Sequence, residues 1–165
     1  MLQLTLIRHA KSSWDDPALS DFDRPLNKRG MKNAPLMGKI ISKRGLVFDR
    51  IVASPAQRAI TTARLIAGKL DFPEQDIQQR EELYDASADQ LLGCVHSLDS
   101  QYKSIALVAH NPGLTALCNR LSGESIDNMP TCAVAVIEFD LDDWQAVNQD
   151  MGKLVLYEYP RKYTD

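Results

Sequence analysis

At 165 residues, with 44% hydrophobic and 25% charged side chains, the chain has the size and balance of one ordinary globular domain that buries its own core. Its 19 Lys and Arg stand against 22 Asp and Glu, a net charge of -3. That argues against nucleic-acid binding and leaves any positively charged site to be a local feature.

The chain opens with "LQLTLI" (2–7), which suits a buried strand, and a polar loop from Lys11 to about Pro25 follows Arg8 and His9. "NKRGMKNAPLMGKIISKRG" reads as a helix with Met31, Ala34, Met37, Ile40 and Ile41 on its apolar face, and Pro35 is expected to kink it or shift its start. "DRIVAS" (49–54) is a short apolar strand. It leads into "SPAQRAITTARLIAGKL", a helix expected to start with Ser54 as N-cap and Pro55 at its first position. "IQQREELY" gives a short strand and a loop, and Ser87 and Gln90 stand at capping-box spacing before the next helix. "SIALVAH" (104–110) is a further buried strand, and "NPGLTALCNRLSG" a helix that stops at Gly123. "CAVAVIEFD" and "GKLVLYEYP" close the chain as two antiparallel strands at one end of the sheet. No repeat or linker interrupts the order, so residues 1–165 are taken as one domain. The alternation predicts an α/β fold, a three-layer α/β/α sandwich. Its sheet is mainly parallel, with helices on both faces and an antiparallel edge.

Cys94, Cys118 and Cys132 are odd in number and lack metal-ligand spacing, so reduced, buried thiols are expected. Neither a signal peptide nor a membrane span is visible, and a cytoplasmic location without membrane contact is the expectation.

In open α/β sheets ligands bind beyond the carboxyl ends of the strands. The first strand is followed there by Arg8 and His9. The second is followed by Ser54 and, one turn into its helix, Arg58; "SIALVAH" ends in His110. Taken singly, such an Arg is a surface ion-pair partner and such a His a hydrogen-bonded structural residue. Four of them on one rim point to a site. Two guanidinium groups and an imidazole form a forked set of donors suited to phosphoryl oxygens, and the start of a helix adds main-chain N–H groups. Metal-assisted hydrolysis fits poorly, because the arginines repel a cation and the motifs contain no hard carboxylate ligand. A serine nucleophile fits poorly as well, because no G-x-S-x-G elbow is present. A histidine attacking phosphorus is what remains. The nearby positive charge keeps His9 neutral, and its second ring nitrogen needs a fixed acceptor, expected to be a main-chain carbonyl. His96 lies mid-helix on another element and reads as a surface or packing residue.

"LIRHAKSS", "SPAQRAITTA" and "VAHNPG", in this order and with "DRPLNKRG" between the first two, resemble the histidine phosphatase superfamily. Within it, the chain looks most like the SixA-type phosphohistidine phosphatases. The likeness runs over nearly the whole chain. It implies a phosphoglycerate mutase-like fold and His9 as a nucleophile that becomes transiently phosphorylated. It also implies that Arg8, Arg58 and His110 hold the phosphoryl oxygens, with no metal or organic cofactor.

One departure from the superfamily bears on the substrate. Many members carry an acid in a pattern like Leu-x-Glu followed by glycines. Here that region reads "REELYDASADQ", with Glu81, Glu82 and Asp85 available and no glycine. Glu82 is the candidate general acid, against the plainer reading of a solvated acidic turn. An alkoxide leaving group needs a proton, whereas the imidazole of phosphohistidine leaves readily without one from the enzyme. A weak or absent acid therefore favours P–N over P–O substrates. Ser12 and Asn111, next to motif residues, are candidate phosphate contacts. Trp14, Phe22 and Arg24 are candidates to line the entrance, with Arg24 more simply paired to Asp21 or Asp23. The expected partner is a protein carrying phosphohistidine. The alternatives are a phosphatase of small monoesters using Glu82, and a phosphohistidine-binding module with little turnover.

Overall fold

The computed structural model describes residues 1–164 and follows the expected alternation. Strand β1 (Leu2–Arg8) precedes helix α1 (Lys28–Lys43), and β2 (Arg50–Ala53) precedes α2 (Gln57–Lys69). Then come β3 (Ile77–Gln79), α3 (Ala88–His96), β4 (Ser104–Ala109) and α4 (Gly113–Ser122), and finally β5 (Val134–Phe139) and β6 (Gly152–Glu158). The six strands form one sheet in the order β3-β2-β4-β1-β5-β6. β1 to β4 pair in parallel, and β5 and β6 add an antiparallel edge.

β1 is rich in Leu and Ile because both of its faces are covered. Leu2, Leu4 and Leu6 enter a core with Leu91 and Val95 of α3 and Leu114 and Leu117 of α4. Ile7 enters the opposite core, with Met37 and Ile41 of α1 and Ala59 and Ile66 of α2. Each fully buried Leu or Ile contributes about 1.5–3 kcal/mol relative to exposure, so the strand is firmly held. Its period of two puts Arg8 in phase with Leu4 and Leu6, and His9 in phase with Ile7.

Three helix details bear on the sequence reading. α1 starts where Asn27 Oδ1 accepts the Gly30 N–H at 2.9 Å, and it continues through Pro35. Met31 is 47% exposed and lies outside the apolar face, contrary to expectation. Gly30 is the residue turned to the fold, since a Cβ there would lie 2.2 Å from the Lys11 carbonyl oxygen. Met31 shares its angle with Gly38, seven residues on and buried against Ile66 and Lys69 of α2, but in the first turn of the helix Met31 itself is exposed. α3 carries the expected capping box, with the Gln90 N–H donating to Ser87 Oγ and the Ser87 N–H to Gln90 Oε1.

α2 corrects the third expectation. It begins at Gln57 with Ala56 in the cap position, so Ser54 and Pro55 precede it. The Ser54 N–H instead extends the sheet by donating to the Val108 carbonyl at 2.9 Å, and its hydroxyl turns to His110. The three cysteines are buried and free. Among the described residues no helix is long and apolar enough to cross a membrane.

Candidate active site

The parallel register assembles the site. Arg8 pairs with Ala109 and Ala53 with Val108, so His9, Ser54 and His110 follow at the same rim. The end of β1 is pinned from both sides. The His9 N–H donates to the Ala109 carbonyl at 3.2 Å, and the Cys132 N–H lies 3.1 and 3.0 Å from the Arg8 and His9 carbonyls. Behind them, the Ala10 N–H donates to Thr62 Oγ1 at 2.9 Å, and the Thr62 hydroxyl donates to the Arg58 carbonyl at 2.7 Å. The threonine of "SPAQRAITTA" thus ties the loop after His9 to the first turn of α2, which carries Arg58.

Nδ1 of His9 lies 2.8 Å from the Ala10 carbonyl oxygen. A carbonyl only accepts, so Nδ1 carries the proton and Nε2 keeps the lone pair. Burial pushes the His9 pKa down to about 3, with His110, Arg58 and Arg8 adding to the effect and the Ala10 hydrogen bond opposing it. His9 is therefore neutral at ordinary pH. The His110 ring stands 5.2 Å from it, centroid to centroid, and its Nε2 lies 2.7 Å from Ser54 Oγ. Burial, helped by Arg58, lowers the His110 pKa to about 4.

Arg8, His9, Arg58, His110 and Asn111 share one cavity of about 210 Å³. Asp21, Arg24, Tyr84 and Asp85 complete its wall. Arg8 is anchored by donating from Nη1 to the Met129 carbonyl at 2.8 Å, and Arg58 by donating to the Asp21 carbonyl at 2.7 Å and the Asp21 carboxylate at 3.0 Å. Arg8 Nε, Arg58 Nε and His110 Nδ1 are nevertheless buried without a hydrogen-bond partner; a fourth such atom, Thr5 Oγ1, lies within β1. Orphaned buried polar atoms are rare in native proteins, and here three belong to a single cavity wall. A larger cavity of about 510 Å³, lined by Arg50, Arg80 and Tyr102 among others, contains none of the motif residues. Among the described residues no group of three His, Cys, Asp or Glu side chains is gathered as metal ligands.

Comparison with known proteins agrees with this geometry. Residues 4–97 match the model of the histidine phosphatase superfamily, branch 1. The chain belongs to that superfamily. An uncharacterized chloroplastic protein of Arabidopsis thaliana is 32% identical over 151 residues, which cover 87% of this chain and 69% of that protein. A protein assigned as the phosphohistidine phosphatase SixA of Agrobacterium tumefaciens superposes with a TM-score of 0.82 at 27% identity, over 96% of this chain and 98% of its own. The protein histidine phosphatase SixA complexed with tungstate shares the fold at a TM-score of 0.82 and 22% identity, over 98% and 99% of the two chains. The fold is thus phosphoglycerate mutase-like, and the chain is a phosphatase of the histidine phosphatase superfamily.

The remaining residues named from the sequence are distributed unevenly around this superfamily site. Glu82 is not part of the cavity wall; its carboxylate stands 3.7 Å from Arg80 Nη1, in a 3-10 turn (Glu81–Leu83) whose buried residue is Leu83. Ser12 is buried behind the wall, where its hydroxyl accepts from Arg24 Nη1 at 2.7 Å. Asn111 borders the cavity, but its side chain is used internally. Nδ2 donates to Asn128 Oδ1 and the Met129 carbonyl, and Oδ1 accepts from the N–H and hydroxyl of Thr115. Arg24 pairs with Asp21 at 3.2 Å and stacks its guanidinium 3.5 Å over the Trp14 ring. Trp14 and Phe22 are exposed. His96 packs as expected, with Nε2 donating to the Val147 carbonyl at 2.7 Å. Sequence reasoning missed Tyr84 as a wall residue, Ser54 as the partner of His110, and Asp21 as the partner of Arg58. The available signal was position: Tyr84 and Asp85 follow the β3 strand end as His9 follows that of β1.

Proposed function

We propose that this phosphatase removes the phosphoryl group from phosphohistidine carried on a protein, through a phospho-His9 intermediate and without a metal. The observation that carries the mechanism is the fixed Nδ1–H of His9 on the Ala10 carbonyl, which leaves Nε2 as a neutral nucleophile beside Arg8, Arg58 and His110. In the first step His9 Nε2 bonds to phosphorus as the bond from phosphorus to the leaving nitrogen breaks, and the electron pair stays on that nitrogen. Arg8 and Arg58 offset the charge on the three oxygens. A phosphoryl oxygen accepts hydrogen bonds only, so His110 serves it as an Nδ1–H donor, and Ser54 then donates to Nε2. Water hydrolyses the phospho-His9 in the second step.

Two features favour a P–N over a P–O substrate. Asp21 is held as an anion, with its pKa lowered to about 2 first by the hydrogen bond from Tyr84 and then by Arg58 and Arg24, so it gives no proton to an alkoxide. Glu82, the acid candidate of the ester reading, stands outside the cavity wall, where among the described residues Asp85 is the one carboxylate besides the arginine-paired Asp21. The cavity, about 210 Å³, also falls below the roughly 300–1,000 Å³ of sites that enclose a small molecule. It suits a phosphoryl group presented on a protein surface.

The test is phosphate release from a phosphohistidine-bearing protein compared with p-nitrophenyl phosphate. The expected result is a higher kcat/KM for the protein, unchanged by chelators. A preference for the ester, or loss of activity on chelation and its return with a divalent metal, would overturn the reading.

A further inference from the structure

Asp21 is the wall carboxylate most firmly fixed. Its Oδ1 accepts from Arg24 Nε and Nη2 at 3.3 and 3.2 Å. Oδ2 accepts from Arg58 Nη2 at 3.0 Å and from the Tyr84 hydroxyl at 2.6 Å. The Tyr84 ring stands edge-on to His110 at 5.7 Å on one side and to Phe22 at 5.1 Å on the other. A row of aromatic rings thus leads from His9 outward, with a carboxylate fixed beside it. Asp21 pairs with the same guanidinium to which the mechanism assigns the phosphoryl group.

That overlap has a consequence. A phosphoryl group that engages Arg58 competes with the Arg58–Asp21 pair and frees an acceptor position on Oδ2. It also sets two anions close together, and around the half-exposed Asp21 water screens the repulsion only in part. A phosphorylated ring with positive charge and an N–H relieves both effects, whereas a substrate bearing a further carboxylate or phosphate adds a third anion. A phosphorylated imidazole carries its proton on the ring nitrogen away from phosphorus, and it departs as a neutral imidazole once the P–N electron pair returns to the ring.

We propose that Asp21, held by Tyr84 and Arg24, is the specificity-determining residue of this site. Its carboxylate accepts the N–H of a planar imidazole ring that carries positive charge until the P–N bond breaks, and turns away phosphate esters whose leaving group bears a further anionic group such as a carboxylate. This deepens the phosphohistidine reading and rests on it. The ring row supplies a flat, polarisable wall for such a cation.

The experiment measures kcat/KM of the wild type, Asp21→Asn and Tyr84→Phe on phosphoimidazole, p-nitrophenyl phosphate and 3-phosphoglycerate, with thermal melts to confirm folding. Asp21→Asn keeps an acceptor for Arg58 and removes the charge. Its expected effect is a loss of about tenfold or more on phosphoimidazole, a smaller loss on the nitrophenyl ester and a gain on 3-phosphoglycerate. Tyr84→Phe should shift the ratios in the same direction. Equal loss on all three substrates would overturn the proposal and reduce Asp21 to a clamp for Arg58. Failure of the phosphohistidine reading looks different, since the wild type would then be slow on phosphoimidazole. The charge screen would still be read from the ratio of nitrophenyl ester to 3-phosphoglycerate, and an unchanged ratio in Asp21→Asn would overturn it.

Discussion

His9 depends on two small contacts that decide its chemistry. The Ala10 carbonyl fixes its proton on Nδ1, and burial among Arg8, Arg58 and His110 keeps it neutral down to about pH 3. As the proposed nucleophile, His9 therefore does not set the acid limb of the rate profile. The His9 ring resonances should stay constant between about pH 5 and 8, where a free imidazole titrates near 6.5. A His9 transition near pH 6.5 in an NMR titration would contradict this. The Ser54 hydroxyl does a similar service for His110. Ser54→Ala should cost about 5- to 10-fold in kcat/KM, the worth of one buried hydrogen bond, with the fold intact by circular dichroism. At this scale the sequence was readable for the residue types that phosphoryl transfer demands. It was not readable for Asp21 and Tyr84, which come from loops without periodicity and meet only in the folded chain.

At the scale of elements, strand ends are the positioning device. The parallel register of β2, β4 and β1 sets His9 level with His110 and Ser54 one residue short of it, and α2 brings in Arg58 from its first turn. The Ser54–Pro55 pair satisfies every local rule for a helix start, yet the helix begins at Gln57. The Ser54 N–H is taken by β4, and its hydroxyl serves His110 while accepting the Ala56 N–H at 3.3 Å, so Ser54 caps the turn before the helix and not the helix itself. Another dependence lies between α4 and the loop carrying Tyr84 and Asp85. A Cβ on Gly113 would fall 2.1 Å from the Ala86 carbonyl oxygen. Gly113→Ala should destabilise the protein by about 1–3 kcal/mol and lower kcat/KM by displacing Tyr84. An unchanged melting temperature would show that the loop yields without cost. Next to the wall residue Arg24, which stacks on it, Trp14 projects from the loop before α1 with 73% of its surface exposed. Trp14→Ala should raise KM about fivefold or more for a phosphohistidine protein, as for an aromatic interface contact, and leave p-nitrophenyl phosphate unaffected. Equal effects on both substrates would argue against a docking role.

For the whole molecule, the alternation of strand and helix patterns was enough to read the three layers and the antiparallel edge, because both faces of β1 and β4 must be covered by apolar neighbours. Met31 shows the limit of periodicity: spacing alone does not tell which turn of a helix overhangs the sheet. Burying two neutral histidines also ties stability to pH. Both folded pKa values, about 3 for His9 and about 4 for His110, lie below the value near 6.5 of an unfolded chain. The unfolded state thus binds more protons between these limits, and stability is complete above pH 6.5 and declines as pH falls toward 4. The slope should approach about 1.4 kcal/mol per pH unit for each histidine. Urea titrations between about pH 4 and 6.5 should show it, with a shallower slope in His9→Asn; identical slopes would mean that His9 is already charged in the fold.

Transfer of the phosphoryl group to His9 Nε2 can be seen by rapid quench with a ³²P-labelled phosphohistidine protein. Label should appear on the enzyme within the first turnover, stable in base and labile in acid, mapping to Nε2 of His9 and absent from His9→Ala. Label on another side chain, or wild-type turnover by His9→Ala, would contradict it.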